Sequence, residues 1–187
     1  IGAYRVAEWK VAESLLARLQ PGMLCMADRG FVGYEHWRQA RASGADLLWR
    51  MPKNLILPVL EELPDGSYLS ALYPNERDRR AGRNGTTVRV IEYALPKVPG
   101  SEPAYRLICS VLDPEQAPAL ELATLYQQRW EIEGVFDELK THLQQSRRVL
   151  RSKTPDLVRQ EFFGWVMAHY AVRWLMHQAA RQAQTPP

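Results

Sequence analysis

Between residues 120 and 142 the sequence sets a phenol, a guanidinium, a carboxylate and an ammonium at fixed intervals: Tyr126, Arg129, Glu133 and Lys140. The stretch has no proline and one glycine, Gly134, so it reads as a single helix. At about 100° per residue the four groups share an arc of roughly 60°, in a row about 21 Å long. Leu125, Ile132, Val135, Phe136, Leu139 and Leu143 fill the adjoining arc. A carboxylate flanked by cations suits a divalent ion beside a polyanion. Hard cations take oxygen ligands, and guanidinium and ammonium groups hold phosphates. An ordinary amphipathic helix also carries charges where its apolar stripe meets solvent. The row therefore gains meaning only if a second acidic group joins it from elsewhere in the chain.

Asp28 is the candidate. It follows a short apolar run, residues 23–27 (MLCMA), that reads as a strand buried on both faces. In open α/β sheets, ligands gather at the carboxyl ends of strands. Asp also starts turns and caps helices, so the residue alone carries little. Around it the pattern is helix (5–19), strand (23–27), helix (34–42) and strand (45–51). That order points to an α/β core with strands at least partly parallel.

From Pro52 the texture changes. Turn signals at Asp65-Gly66, Asn84-Gly85 and Pro99-Gly100 separate strand-like runs at 55–63, 68–72, 86–95 and 105–112. This is a β-rich module set into the α/β fold. Its 75–85 loop holds Arg77, Arg79, Arg80 and Arg83 against Glu76 and Asp78, which fits either a solvated hairpin tip or a phosphate-contacting loop. After the long helix, Arg147, Arg148, Arg151 and Lys153 form a basic run, and Pro155 opens a helix over 156–182. Its Phe162, Phe163, Val166, Tyr170, Trp174 and Leu175 are expected to pack on the core. The divisions are 1–52, 53–118 and 119–187.

The 187 residues, 46% hydrophobic and 24% charged, are enough to bury a core. Net charge is +3, a mild lean toward a polyanionic partner. No apolar run nears the ~20 residues that span a bilayer, and no secretory signal is visible. Cys25 and Cys109 lie in separate apolar runs and read as buried strand thiols of a reducing compartment.

The spacing Tyr126-x2-Arg129-x3-Glu133-x6-Lys140 resembles the Tyr-Arg-Glu-Lys signature of bacterial DDE transposases in the insertion-sequence group called "four". Residues 23–31 (MLCMADRGF) are similar to that family's second-Asp segment, 44–50 to its next strand, and 150–161 to the segment after its catalytic helix. The β-rich stretch falls where the family inserts an all-β domain. The resemblance implies a partial ribonuclease-H-like core with an inserted β-rich module and C-terminal helices. It implies that Asp28 and Glu133 are the second and third acidic residues of the triad, both catalytic and ligands of Mg²⁺. Tyr126, Arg129 and Lys140 would contact DNA near the transposon end, joined by Arg147 and Arg148 from the basic run. The partner would be double-stranded DNA, at the transposon end and the target, bound by a homodimer in the cytoplasm.

Two departures stand out. Residues 1–27 contain no Asp, only Glu8 and Glu13. The first acidic residue is therefore missing, and the chain is expected to be the C-terminal portion of a longer protein, inactive alone. The inserted module also has no Trp for base stacking, leaving only Tyr68, Tyr73, Tyr93 or Tyr105. A non-catalytic DNA-binding remnant of a decayed transposase is the alternative, and a ribonuclease-H-like nuclease without a transposition role is a third.

Overall fold

The computed structural model describes residues 8–55, 57–94, 104–129, 134 and 152–184. The chain forms two compact units, 1–127 and 128–187.

In the first unit the elements run α1 (Glu8–Leu16), β1 (Leu24–Ala27), α2 (Tyr34–Ala42), β2 (Asp46–Arg50), β3 (Glu61–Glu62), β4 (Tyr68–Leu72), α3 (Glu76–Ala81), β5 (Thr86–Tyr93), β6 (Tyr105–Cys109) and α4 (Ala119–Gln128). β1 and β2 are parallel, with Ala27 opposite Trp49. All other pairs are antiparallel, in the order β1-β2-β6-β5-β4-β3. The strands of the β-rich stretch thus extend the α/β core as one mixed sheet. The right-handed β1–α2–β2 crossover expected of parallel neighbours needs a tight return. Gly44 supplies it at φ +81°, where a Cβ would sit 2.9 Å from Pro21 Cγ.

Side chains alternate across the sheet, and each face is covered by its own cluster. On one face Leu47, Trp49, Val88, Val90 and Ile108 bury Trp37 and Ala40 of α2. Trp37 meets Trp49 edge-on at 5.2 Å. On the other face Leu48, Ile91, Leu107 and Cys109 bury Leu122 and Tyr126 of α4. β1 departs from expectation. It lies at the edge of the sheet among the described residues, so all four of its residues are only half-buried. Cys25 is accordingly half-buried, whereas Cys109 is fully buried, and both are free thiols. Burial pushes both thiols up, with the Trp49 indole N–H partly offsetting this at Cys25.

One polar cluster lies on the α4 face. Arg89, fully buried on β5, donates from Nε to Ser67 Oγ (2.8 Å) and from Nη1 to the carbonyls of Ala117 (2.7 Å) and Asp113 (3.3 Å). Its Nη2 pairs with Asp65 Oδ2 in the β3–β4 turn. The same carboxylate oxygen accepts the backbone N–H of Ala119 at 2.8 Å, the first residue of α4. An otherwise orphaned N-terminal donor is thereby capped by an acid from another part of the sheet. The turn of the β-rich module and the start of α4 are clasped together.

Three expectations are corrected. Among the described residues of the run 55–63 only Glu61–Glu62 is strand, because Pro58 cannot donate to a ladder. The 75–85 loop contains helix α3, whose Asn75 cap accepts from Asp78 N at 2.9 Å and whose Gly82 closes it at φ +61°. Two of its arginines are engaged locally, since Arg79 and Arg80 both pair with Glu76. In the second unit, α5 (Pro155–Ala183) buries no residue. Phe163, Val166, Tyr170, Trp174 and Leu175 stay exposed on it instead of packing on a core. Its start is held by Glu161, which accepts from Ser152 N (3.1 Å) and Ser152 Oγ (2.7 Å). No helix among the described residues is long and apolar enough to cross a membrane.

Candidate functional site

Asp28 stands where β1 ends, extended at φ −81° and ψ 170°, before a turn of 3-10 helix over Arg29–Phe31. β1 and β2 run the same way, so both carboxyl ends open on one side, the usual place for a ligand. The pleat puts Asp28 on the sheet face that carries Leu24 and Met26, which is the face α4 covers. Its side chain is 41% exposed, yet Oδ1 itself is buried and has no hydrogen-bond partner. One oxygen faces the interior while the group as a whole still reaches solvent.

The last residue of β2, Arg50, lies beside it. Arg50 Nη1 is 3.8 Å from Asp28 Oδ1, an ion-pair distance too long for a hydrogen bond. Only 7% of Arg50 is exposed. Its guanidinium lies over the Tyr105 ring at 4.8 Å, and Tyr105 stacks on Tyr93 at 5.3 Å. A buried cation is therefore fixed against the carboxylate by aromatic packing from β5 and β6. Arg50 was not singled out by sequence, and Tyr105 only as one of four tyrosines that could stack on a base. The one available signal was an arginine ending an otherwise apolar strand, LLWR.

Tyr126 approaches from above. Its ring is fully buried against the sheet, and its hydroxyl donates to the carbonyl of Ala27 at 3.0 Å. Ala27 is the residue before Asp28, so α4 is pinned to the strand end that bears the carboxylate. Sequence reasoning placed Tyr126 among DNA contacts; here its polar end is used inside the protein. The single helix expected over 120–142 is interrupted: α4 ends at Gln128, and Arg129 follows it in a turn, half-buried, in the second unit. Glu133, Lys140, Arg147 and Arg148 lie outside the described residues.

Among the described residues no three His, Cys, Asp or Glu side chains gather to hold a metal ion. Asp28 nonetheless suits a small hard cation. Mg²⁺ is commonly held by one or two carboxylates, with waters and substrate phosphates completing its shell. The buried, hydrogen-bond-free Oδ1 is an anionic oxygen of the right kind. A separate groove of about 560 Å³ is lined by Tyr34, Asn54, Leu57, Tyr73, Asn75 and Arg79. It does not include Asp28, Arg50 or Tyr126. Its polar groups are turned to local partners, Arg79 to Glu76 and Tyr34 to Asn84 O.

A strand-end acid, a helix crossing that strand end and a β-rich extension of the sheet agree with what sequence comparison finds. Residues 1–171 match the transposase DDE domain, and the chain belongs to that family. It is 30% identical over 184 residues to the transposase InsG for insertion sequence element IS4 of Escherichia coli (strain K12). The match covers 96% of this chain and 40% of the relative, so the chain spans less than half the length of that protein.

Proposed function

We propose that this chain is the C-terminal part of the catalytic domain of an insertion-sequence DDE transposase, built on a ribonuclease-H-like core. Asp28 and Glu133 are its second and third acidic residues, and the first is supplied by a segment outside these 187 residues. The observation that carries the reading is the 3.0 Å hydrogen bond from Tyr126 to Ala27 O, across 99 residues of sequence. It supports a site in which α4, which carries Tyr126 and ends just before Arg129, crosses the strand end bearing Asp28.

Each group then has a physical task. Asp28 and Glu133 hold Mg²⁺ on anionic oxygens. When bound, the ion supplies an activated water and steadies charge on the scissile phosphate. Arg129, Lys140, Arg147 and Arg148 neutralise phosphates of double-stranded DNA at the transposon end and fix its register without reading sequence. Tyr126 acts from inside the fold by holding the helix to the strand end. The full-length protein, as a homodimer, cleaves DNA to free a 3′-hydroxyl, which attacks a target phosphodiester; the new P–O bond joins the transposon end to the target and the target's own 3′-oxygen leaves.

The test uses the full-length transposase on a duplex carrying its own transposon end. Asp28→Asn and Glu133→Gln each lower Mg²⁺-dependent cleavage by about a thousandfold while DNA affinity is kept. Arg147→Ala with Arg148→Ala weakens binding and reduces the salt slope by about two. Cleavage indifferent to either carboxylate defeats the reading. Salt-sensitive DNA binding with no cleavage under any condition supports the non-catalytic remnant instead.

A further inference from the structure

We propose that Arg50 is a resident counter-cation of Asp28, so that a divalent ion binding there must displace or outcompete a guanidinium. The inference rests on the reading of Asp28 as a metal ligand. Three observations carry it. Asp28 Oδ1 is buried and accepts no hydrogen bond, so burial of its charge is compensated by a neighbouring charge. The neighbour is Arg50 Nη1 at 3.8 Å. Arg50 is also held in place. It ends β2 next to Asp28 in the parallel pair, is 7% exposed, and lies over Tyr105 at 4.8 Å, with Tyr93 stacked behind.

A guanidinium in that position has two effects on an incoming cation, both of one sign. It satisfies the carboxylate that the ion needs, and it repels the ion directly. Removing the positive charge strengthens divalent-ion binding at Asp28 by about tenfold, the size of one unit charge acting on a doubly charged ion several ångströms away in a water-accessible site. Metal loading at this centre is thus weakened by design in the absence of DNA. Phosphate oxygens arriving with the substrate add ligands for the ion and an alternative anion for Arg50.

The experiment titrates Mn²⁺ into the full-length protein without DNA, read by the relaxation of water protons. Wild type is compared with Arg50→Met, Arg50→Lys, Asp28→Asn and the Asp28→Asn/Arg50→Met pair, with circular dichroism checking each fold. Arg50→Met binds Mn²⁺ about tenfold more tightly, Arg50→Lys stays within about threefold of wild type, and Asp28→Asn abolishes the gain. If Arg50→Met does not fold, Tyr105→Leu loosens the guanidinium and gives a smaller gain in the same direction. Mn²⁺ binding that depends on Asp28 but is unchanged or weakened without Arg50 overturns the proposal and leaves the metal reading intact. Binding that never depends on Asp28, in any background, overturns both.

Discussion

The clasp between Asp65 and Arg89 should govern the stability of the first unit. Arg89 is fully buried and donates four hydrogen bonds, to Ser67 Oγ, Asp65 Oδ2 and the carbonyls of Asp113 and Ala117. Breaking a buried ion pair by removing one partner costs about 3–5 kcal/mol, because the remaining charge is left uncompensated. The Asp65 side chain is 21% exposed, so water relieves part of that cost and the lower end applies. Asp65→Asn is therefore expected to cost about 3 kcal/mol. Arg89→Met should cost about as much, since it orphans two backbone carbonyls at about 1–3 kcal/mol each while the carboxylate turns toward solvent. Urea unfolding followed by the fluorescence of buried Trp37 and Trp49 measures both changes, and the double variant closes the cycle. The double should lose at least about 1 kcal/mol less than the sum of the singles. Calorimetry should show each single melting roughly 6–12 °C lower. The pH dependence follows from the acid. Burial pushes the Asp65 carboxyl up, but hydrogen bonds from the Ser67 hydroxyl and from the N–H groups of Ala119 and Ser67, with Arg89, outweigh it and hold the carboxyl below its usual value. A depressed folded value means the stabilisation is present above the unfolded value of about 3.9 and is lost as pH falls through the lower folded value. Asp65→Asn should flatten that acid limb. Singles within 0.5 kcal/mol of wild type, roughly the scatter of an ordinary surface change, or strictly additive ones, refute the reasoning.

Two further outcomes are expected. Tyr126→Phe keeps the packed ring but removes the donor to Ala27 O, so it should cost about 1–2 kcal/mol in thermal or urea unfolding; a change in DNA affinity with stability untouched would show that the hydroxyl works at the DNA instead. Gly85→Ala places a Cβ 2.8 Å from Tyr73 Cε1 and 3.3 Å from Ala71 Cβ. Overpacking of that kind costs about 1–3 kcal/mol, and a melt unchanged from wild type would mean that Tyr73 swings aside freely.

Local signals were read well where one face of an element met the core. The helix over 34–42 and the strand over 68–72 agree with α2 and β4 to the residue. Signals failed where the deciding partner lay far away. Nothing in residues 23–27 shows that β1 lies at the sheet edge among the described residues, so its apolar run suggested burial on both faces. The wheel for residues 120–142 put Tyr126 beside Arg129, at the margin of the apolar stripe. It could not say which margin faces the sheet, and Tyr126 is buried there. Helix α3 was legible after all: Asn75, Asp78 and Gly82 are a capping residue, its partner and a left-handed stop. The density of arginines drew attention to charge instead. The site itself was half legible. Asp28 stood out as a strand-end acid, but Arg50 matters only through its distance to Asp28 and its seat on Tyr105, and neither leaves a periodic trace.

The single continuous sheet also has a consequence for how the chain is made. β2 finds its second neighbour only in β6: Leu47 N reaches Ser110 Oγ across 63 residues, and Asp46 receives that hydroxyl across 64. The hairpin β3–β4 closes over residues 63–67 and β4–β5 over residues 73–85 with α3 between, so both can form as they emerge. β2 must wait for everything between. At about 5–20 residues per second the delay is roughly 3–13 s, long beside the microseconds of hairpin closure. During that interval an apolar strand, Leu47 to Trp49, stands with one side unpaired. Ribosome-bound chains are most exposed to misassociation in that window, and pauses within the β-rich stretch would lengthen it. Codon usage between residues 51 and 105 should therefore influence soluble yield more than codon usage in α5, which has no strand waiting on it.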